Sequence, residues 1–79
     1  MALVSIPADT WTEVVTTTAD TAVQNRSGRV MYMTTESTSG LDLSDGVAVP
    51  AGMAIVVGTG VTVSAATIGS DGFAHYMAV

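Results

Sequence analysis

The stretch "AVQNRSGRVMYM", residues 22–33, carries the only two cationic side chains of the chain, Arg26 and Arg29. They stand three residues apart around Ser27 and Gly28, and the chain contains no lysine. A guanidinium group presents a planar fork of donors that can hold a carboxylate through two parallel hydrogen bonds. Because seven Asp and Glu residues share the chain, we predict that Arg26 or Arg29 forms an ion pair with an acidic turn of a second copy. The simpler alternative is that both arginines only keep a hairpin tip solvated.

Catalytic chemistry has little to build on in this sequence. Nucleophilic catalysis requires a nucleophile, a neighbouring base and a group that orients the base. His75 is the only histidine, there is no cysteine, and no serine stands in a nucleophile motif. The acidic residues lie mostly in turn-like segments instead of forming a facing pair. We therefore predict that His75 is a partly buried strand residue and that the protein is not an enzyme.

Two short motifs could suggest a metal or a phosphate, and both have simpler explanations. The segment "LDLSDG" places Asp42 and Asp45 three residues apart, but it lacks the alternate acids and the closing glutamate of a calcium loop. The "GTG" at residues 58–60 is followed by a valine run and not by a helix and a lysine. Both motifs are typical of tight turns, so we expect no metal and no cofactor.

The aromatic residues leave a ligand-binding alternative open. Trp11 or Tyr32 could stack on a sugar ring. With one tryptophan, two tyrosines and one phenylalanine, however, the aromatics are few enough to be used as anchors of the fold. We predict a structural role for Trp11, with a carbohydrate-binding module as the competing class.

Length and charge indicate a protein that is completed by neighbours. A chain of 79 residues buries about 60% of its unfolded surface, so its own core is small. The chain has no cysteine, so no disulfide can reinforce this core. Only 11% of the residues are charged, which leaves large apolar patches on a monomer. The net charge of −5 would be repelled by nucleic acid and by anionic membranes. We therefore expect protein partners, the first being a second copy of the chain.

The amino terminus and the central segment bear on cellular location. The start, "MALVSIPADTW", lacks the basic and continuous apolar regions of a signal peptide, which predicts a protein made in a cytoplasm. Residues 47–70 carry no charge and are long enough to span a bilayer. Because Pro50, Gly52, Gly58 and Gly60 interrupt this segment, it is typical of two strands with their turns and not of a membrane helix.

The chain reads as all-β. Valine and threonine occur twelve times each, and both favour strands. The pattern predicts a small antiparallel β-sandwich or β-barrel with six to eight short strands. We predict a single β domain over residues 17–79, preceded by an amino-terminal arm or the first strands over residues 1–16. The predicted strands are Leu3–Ile6, Trp11–Thr16, Ala22–Gln24, Arg29–Thr35, Val47–Val49, Met53–Val57, Val61–Ala66 and Phe73–Val79.

Turn chemistry links these strands. Residues 24–29 read as a hairpin connection, in which Asn25 and Gly28 could adopt left-handed conformations. Asp45-Gly46 and Asp71-Gly72 are also typical of turns with a positive φ. The segment "VPAG", residues 49–52, fits a turn that proline initiates.

The run "AVQNRSGRVMYMTTE", then "DGVAVPAG" and a closing "VTVSAATIGSDGFAHYMAV" resembles small β-rich virion proteins of tailed bacteriophages. The similarity covers residues 22–79. The resemblance implies a structural role without catalysis, frequently as a trimer, on the surface of a capsid or in a tail or fibre. It transfers no active-site residues.

The leading expectation is therefore a capsid decoration or cement protein. Such a protein would be assembled in the host cytoplasm, would trimerise on the virion surface and would stabilise contacts between major capsid proteins. The alternatives are a tail, neck or fibre component and a module that binds carbohydrate or a host surface. The predicted contact residues form three groups. The docking arm is Leu3, Val4, Ile6 and Trp11, and the ionic lock is Arg26 and Arg29. The apolar surface residues are Met31, Met33, Phe73 and Met77.

Overall fold

A computed structural model describes residues 2–79 of the chain. Met1, the first residue of the predicted segment 1–16, lies outside the described residues. The all-β prediction is confirmed, because the described residues form eight strands and a short 3-10 turn at Leu43–Asp45. The strands are β1 (Ala2–Ile6), β2 (Thr12–Thr16), β3 (Thr21–Asn25), β4 (Met31–Thr34), β5 (Val47–Val49), β6 (Ala54–Val57), β7 (Thr62–Ala66) and β8 (Gly72–Ala78).

The strands form two four-stranded antiparallel sheets, which make a β-sandwich and not a closed barrel. Sheet I has the order β1-β8-β3-β6, and sheet II has the order β2-β7-β4-β5. Strand β1 pairs with β8 and strand β2 pairs with β7. Residues 2–16 therefore contribute one strand to each sheet.

The topology is that of one long hairpin folded over on itself. The two arms of the hairpin pair β1 with β8, β2 with β7, β3 with β6 and β4 with β5. Consecutive strands alternate between the sheets, except that β4 and β5 are neighbours in sheet II. An eight-stranded double sheet of this kind is a jelly roll.

The core follows from the period of two along each strand. In β3, Thr21, Val23 and Asn25 are buried, whereas the residues between them are half-exposed. The side chains that close the interior between the sheets are almost all small or aliphatic: Ile6, Val14, Val23, Met31, Met33, Val49, Val63, Ala65 and Ala74.

Three residues predicted for the assembly surface belong to this core, which corrects that part of the prediction. Ile6, Met31 and Met33 have 0% exposed surface. In β4, Met31 lies opposite Val49, and Met33 lies opposite Ala65 of β7. The inward side of β4 therefore carries both methionines, and they fill the interior of their own chain.

The predicted hairpin at residues 24–29 is wrong, because this segment carries the chain from sheet I to sheet II. Asn25 is fully buried at the crossing. Its Nδ2 donates to the carbonyl oxygens of Arg29, at 2.6 Å, and Val49, at 2.9 Å. Its Oδ1 accepts from the backbone N–H and the hydroxyl of Ser27. Asn25 thus connects the crossing from β3 to β4 with the end of β5.

The turns use glycine differently from the sequence prediction. Gly46 has a φ of −75°, and Gly72 is not among the glycines of positive φ, so neither Asp-Gly pair uses a left-handed glycine. Gly52 does, at a φ of 80°. Its turn runs from Pro50 to Met53, whose N–H donates to the Pro50 carbonyl at 3.0 Å, one residue later than predicted.

Gly46 is required for close approach. A Cβ at this position would lie 2.9 Å from both the Met33 carbonyl oxygen and Cη2 of Trp11. We expect Gly46→Ala to lower the free energy of unfolding by about 2 kcal/mol, because the backbone of β4 cannot yield without strain. The control is Gly28→Ala, since no atom lies within 4 Å of a Cβ there. Urea denaturation measures both variants, and equal stabilities would contradict this account of Gly46.

Candidate assembly surface

The outward side of sheet I is uncharged. None of its four strands contains Asp, Glu, Lys or Arg. Residues opposite each other in an antiparallel pair share a face of the sheet. The strand register therefore places the following side chains together on the outward side: Leu3, Ser5, Ala22, Gln24, Ala54, Val56, Phe73, His75 and Met77.

Most of the large apolar side chains in this set are well exposed. Leu3 is 60% exposed and Val56 67%, and they belong to the two edge strands. Phe73 and Met77 are each 46% exposed on β8. His75 lies between them on the same strand and is only 8% exposed, which agrees with the prediction of a buried strand histidine. The result is an uncharged, largely apolar surface in which Ser5, Gln24 and His75 supply the polar groups, and exposed apolar surface of this kind marks an interaction site.

The outward side of sheet II has the opposite character. It carries Glu13 and Thr16 on β2, and their side chains are joined by a hydrogen bond of 3.1 Å. The Thr16 hydroxyl also lies 2.9 Å from the Thr62 hydroxyl of β7. Thr34 and Ser64 are opposite each other further along the same side. This surface carries a charge and several hydroxyl groups beside Tyr32, Ala48 and Ala66, so the two outer faces of the sandwich differ in what they can bind.

The edges of sheet II are protected against pairing with another strand. Strand β2 contains an irregularity in register between Glu13 and Val15 and carries the Glu13 charge. Strand β5 has only three residues and ends before Pro50. Bulges, charges, prolines and short length are the features by which natural sheets prevent edge-to-edge association.

The edges of sheet I lack that protection within the strands. Strand β1 reads ALVSI and strand β6 reads AIVV, and neither contains a charge, a proline or an irregularity in register. The N–H of Asn25 donates to the Met53 carbonyl, so the backbone groups of Ala54 and Val56 point away from β3. By the same alternation, the backbone groups of Leu3 and Ser5 point away from β8.

Of the two arginines, Arg26 borders the apolar surface and Arg29 does not. Both are exposed. The N–H of Arg26 donates to the Phe73 carbonyl at 2.9 Å, and this bond continues the ladder of β3 with β8. At the other end of β3, the Asp20 carbonyl accepts from Val79 at 2.8 Å. Asp20 and Arg26 therefore border opposite ends of the outward side of β3, whereas Arg29 follows Asn25 on the crossing to sheet II.

The four residues of the predicted docking arm have separate positions. Leu3 and Val4 lie on edge strand β1, with Leu3 facing outward and Val4 packed against the core, where Ile6 is fully buried. Trp11 is half-buried, and its Nε1 donates to the Leu41 carbonyl at 3.0 Å. Trp11 thereby holds the connection between β4 and β5 against the sandwich, which is a structural role.

The sequence prediction missed Val56 and Ala54 as surface residues. Their signal was the uncharged segment 47–70, which could be assigned to strands but not to an edge position without the strand order. In the structure this segment contains β5, β6 and β7, which correspond to the predicted strands Val47–Val49, Met53–Val57 and Val61–Ala66.

Other kinds of site have no counterpart in the part of the chain that the structure describes. Residues 2–79 form no pocket and bring together no group of three or more metal-binding side chains. Over the same residues, no helix has the length and hydropathy needed to cross a bilayer.

Comparisons of the chain with family models, with curated proteins and with solved structures found no match.

Proposed function

We propose that this chain is a non-enzymatic virion structural protein of a tailed bacteriophage, and specifically a capsid decoration or cement protein that acts as a trimer. Its contacts with protein partners are made through the outward side of sheet I. The observation that carries the proposal is the uncharged apolar surface of Leu3, Val56, Phe73 and Met77 on a chain with a charged fraction of 11%. Such a surface is stabilised when a protein partner covers it.

The fold class supports this proposal without assigning the function. Jelly rolls occur in viral capsid proteins and in lectins, and a fold hosts many functions. A lectin requires polar side chains that converge beside an exposed aromatic ring. Trp11 is committed to the Leu41 carbonyl, and Phe73 stands on a face whose strands bear no charge. Tyr32 is half-buried and lies opposite Ala48 and Ala66, which offer no polar side chain to a sugar. These observations favour protein contact over carbohydrate binding.

The ionic lock is retained in this proposal with Arg26 as its main candidate, because Arg26 lies at the rim of the apolar surface. We expect Arg26→Glu to weaken self-association about tenfold or more and to reduce its dependence on salt. Arg29→Glu is expected to have the smaller effect. A control with Thr35→Glu and Ser39→Glu gives the same change in net charge at exposed loop positions. Sedimentation at several salt concentrations measures all three, and no difference between them would remove the ionic lock.

Quantitative mass spectrometry of purified particles of the encoding phage tests the virion role. A decoration protein is expected at a copy number comparable with that of the major capsid protein. A low copy number would assign the chain to the tail, neck or fibre instead. Its absence from the particles would overturn the proposed function.

A further inference from the structure

We infer that copies of this chain join head to tail through sheet I, with strand β6 of one copy hydrogen-bonded antiparallel to strand β1 of the next. The inference deepens the proposed function and rests on its claim that the chain assembles with itself. It assigns the contact to two named strands and fixes their register.

The two sheets differ in how well their edge strands are protected against pairing with another strand. Of the four edge strands, β1 and β6 combine an uncharged sequence and an uninterrupted register with lengths of five and four residues, whereas β5 is also uncharged and regular but has only three residues. Strand β2 has Glu13 beside an irregularity, and β5 is short and is followed by Pro50. An unprotected, apolar edge is a template for a further strand.

The backbone groups that point outward on β1 match those that point outward on β6. Leu3 and Ser5 present their N–H and C=O groups outward on β1, and Ala54 and Val56 do so on β6. The two pairs have the same spacing of two residues. In antiparallel alignment, Leu3 of one copy therefore lies opposite Val56 of its neighbour when Ser5 lies opposite Ala54.

The side chains agree with this register. Leu3 and Val56, two of the most exposed large apolar residues, become direct cross-strand neighbours on the outward side. Between the two backbone pairs, Val4 lies opposite Ile55, and both of these side chains are half-buried on the inward side of their own sheet. Outward residues thus meet outward residues, and inward residues meet inward residues.

Strand direction allows the contact to repeat. Neighbouring strands in sheet I are antiparallel throughout, so β1 and β6 run in opposite directions at the two edges. Adding β1 of the next copy beside β6 continues the same alternation. A head-to-tail contact satisfies both open edges of every copy once the ring closes, whereas a two-fold contact of β6 with β6 leaves β1 open.

The same arrangement gives Arg26 an acidic neighbour. At the end of β6 the Gly52 N–H donates to the carbonyl of Asn25, the residue before Arg26, and continuing the inferred register places Pro7 of the next copy beside Gly52. Asp9 and Asp71 lie next to that position, since the Asp71 carboxylate accepts from the Ala8 N–H at 2.8 Å. The arginine side chain can extend toward these carboxylates, which accounts for a basic residue at the rim.

Disulfide trapping of the full chain tests the contact, because the natural sequence has no cysteine. The test variant carries Leu3→Cys and Val56→Cys together. Within one chain these positions are three strand spacings apart, about 14 Å, which no disulfide can bridge. In the inferred contact they face each other. We expect oxidation to convert most of the protein into a covalent ring of three chains on a non-reducing gel.

Three matched variants control for register and partner. Leu3→Cys with Ala54→Cys is displaced by two residues and is expected to cross-link at least tenfold less. Val56→Cys alone is expected to give little dimer, and efficient dimer formation would overturn the inference in favour of a β6 contact with β6. Val56→Pro removes an N–H that points away from β3, so it leaves the fold intact; it is expected to abolish self-association.

A charge introduced on edge strand β6 can be compared with a charge introduced on an edge strand of sheet II. Val56→Lys is expected to yield a folded monomer, whereas Ala48→Lys on the protected edge strand β5 is expected to keep the mass of the parent. Circular dichroism verifies that both variants are folded.

The outcomes separate this inference from the proposed function. A trimer that persists in Val56→Pro and gives no Leu3–Val56 disulfide overturns the edge contact alone. A ladder of longer covalent chains supports the edge contact and overturns the closed trimer. A parent protein that is monomeric at every concentration overturns both.

Discussion

Replacing Asn25 by alanine is expected to lower the free energy of unfolding by about 3 kcal/mol or more. The side chain is fully buried and makes hydrogen bonds to Ser27, Arg29 and Val49. Its removal takes the donor from the buried Val49 carbonyl, takes the shorter of two donors from the Arg29 carbonyl and leaves the Ser27 N–H and hydroxyl without their acceptor. A buried group left unsatisfied costs about 1–3 kcal/mol. For a chain of this size, whose total stability is of order 5 kcal/mol, the loss is large.

Two further variants identify the cause of this loss. Asn25→Asp keeps the shape and the acceptor oxygen but cannot donate to Arg29 and Val49, so we expect it to be at least as destabilising as alanine. Gln24→Ala removes one exposed hydrogen bond to the Gly52 carbonyl and is expected to cost less than about 1 kcal/mol. Urea unfolding followed by circular dichroism measures all three. If Asn25→Ala were no more harmful than Gln24→Ala, the crossing would not depend on this side chain.

Met33→Ala is the second change with a large expected effect. Met33 is 0% exposed, and truncation of a fully buried methionine costs about 2–5 kcal/mol because a cavity remains. Met77→Ala is the matched control, since Met77 is 46% exposed on the outward side of sheet I. We expect Met77→Ala to change the stability of the folded chain by less than about 1 kcal/mol.

The pair of methionine variants also separates the core from the assembly surface. Thermal unfolding at high dilution reports the stability of a single chain, and sedimentation reports self-association. If Met33→Ala left the unfolding temperature unchanged, the assignment of Met33 to the core would be contradicted.

The strands could be predicted from the sequence because their signals are local. Runs of valine and threonine between Gly, Asp and Pro gave the positions of the strands to within a few residues. Pro7 and Pro50 follow the last residues of β1 and β5, as expected for a residue that cannot donate to a ladder. The number and shortness of these strands predicted a small sandwich or barrel, and the structure is the sandwich.

The strand order could not be predicted, because it depends on contacts between distant residues. The turn chemistry of residues 24–29 fits a hairpin, yet the chain uses this segment to change sheets, with the Asn25 side chain bonded to Val49, 24 positions along the chain. Without the strand order, Met31 and Met33 were predicted to lie on the surface, because the alternation of side chains along a strand defines two faces but does not show which face is inward. The missing strand order also concealed β6 as an edge strand and Val56 as an exposed residue on that edge.

For the arginine cluster, the sequence could not distinguish the position of one arginine from that of the other. The sequence identified Arg26 and Arg29 as unusual, and the structure places both on the surface. The two arginines occupy different parts of the fold, because Arg26 continues the outward side of β3 and Arg29 lies on the crossing to sheet II. Only the register of β3 with β8 distinguishes them.

The most direct test of the central claim, that neighbouring copies complete sheet I, is sedimentation equilibrium of the purified chain over a wide range of concentrations. We predict a mass of three chains, which Val56→Pro reduces to the mass of one. A stable, folded monomer at every concentration would contradict the claim.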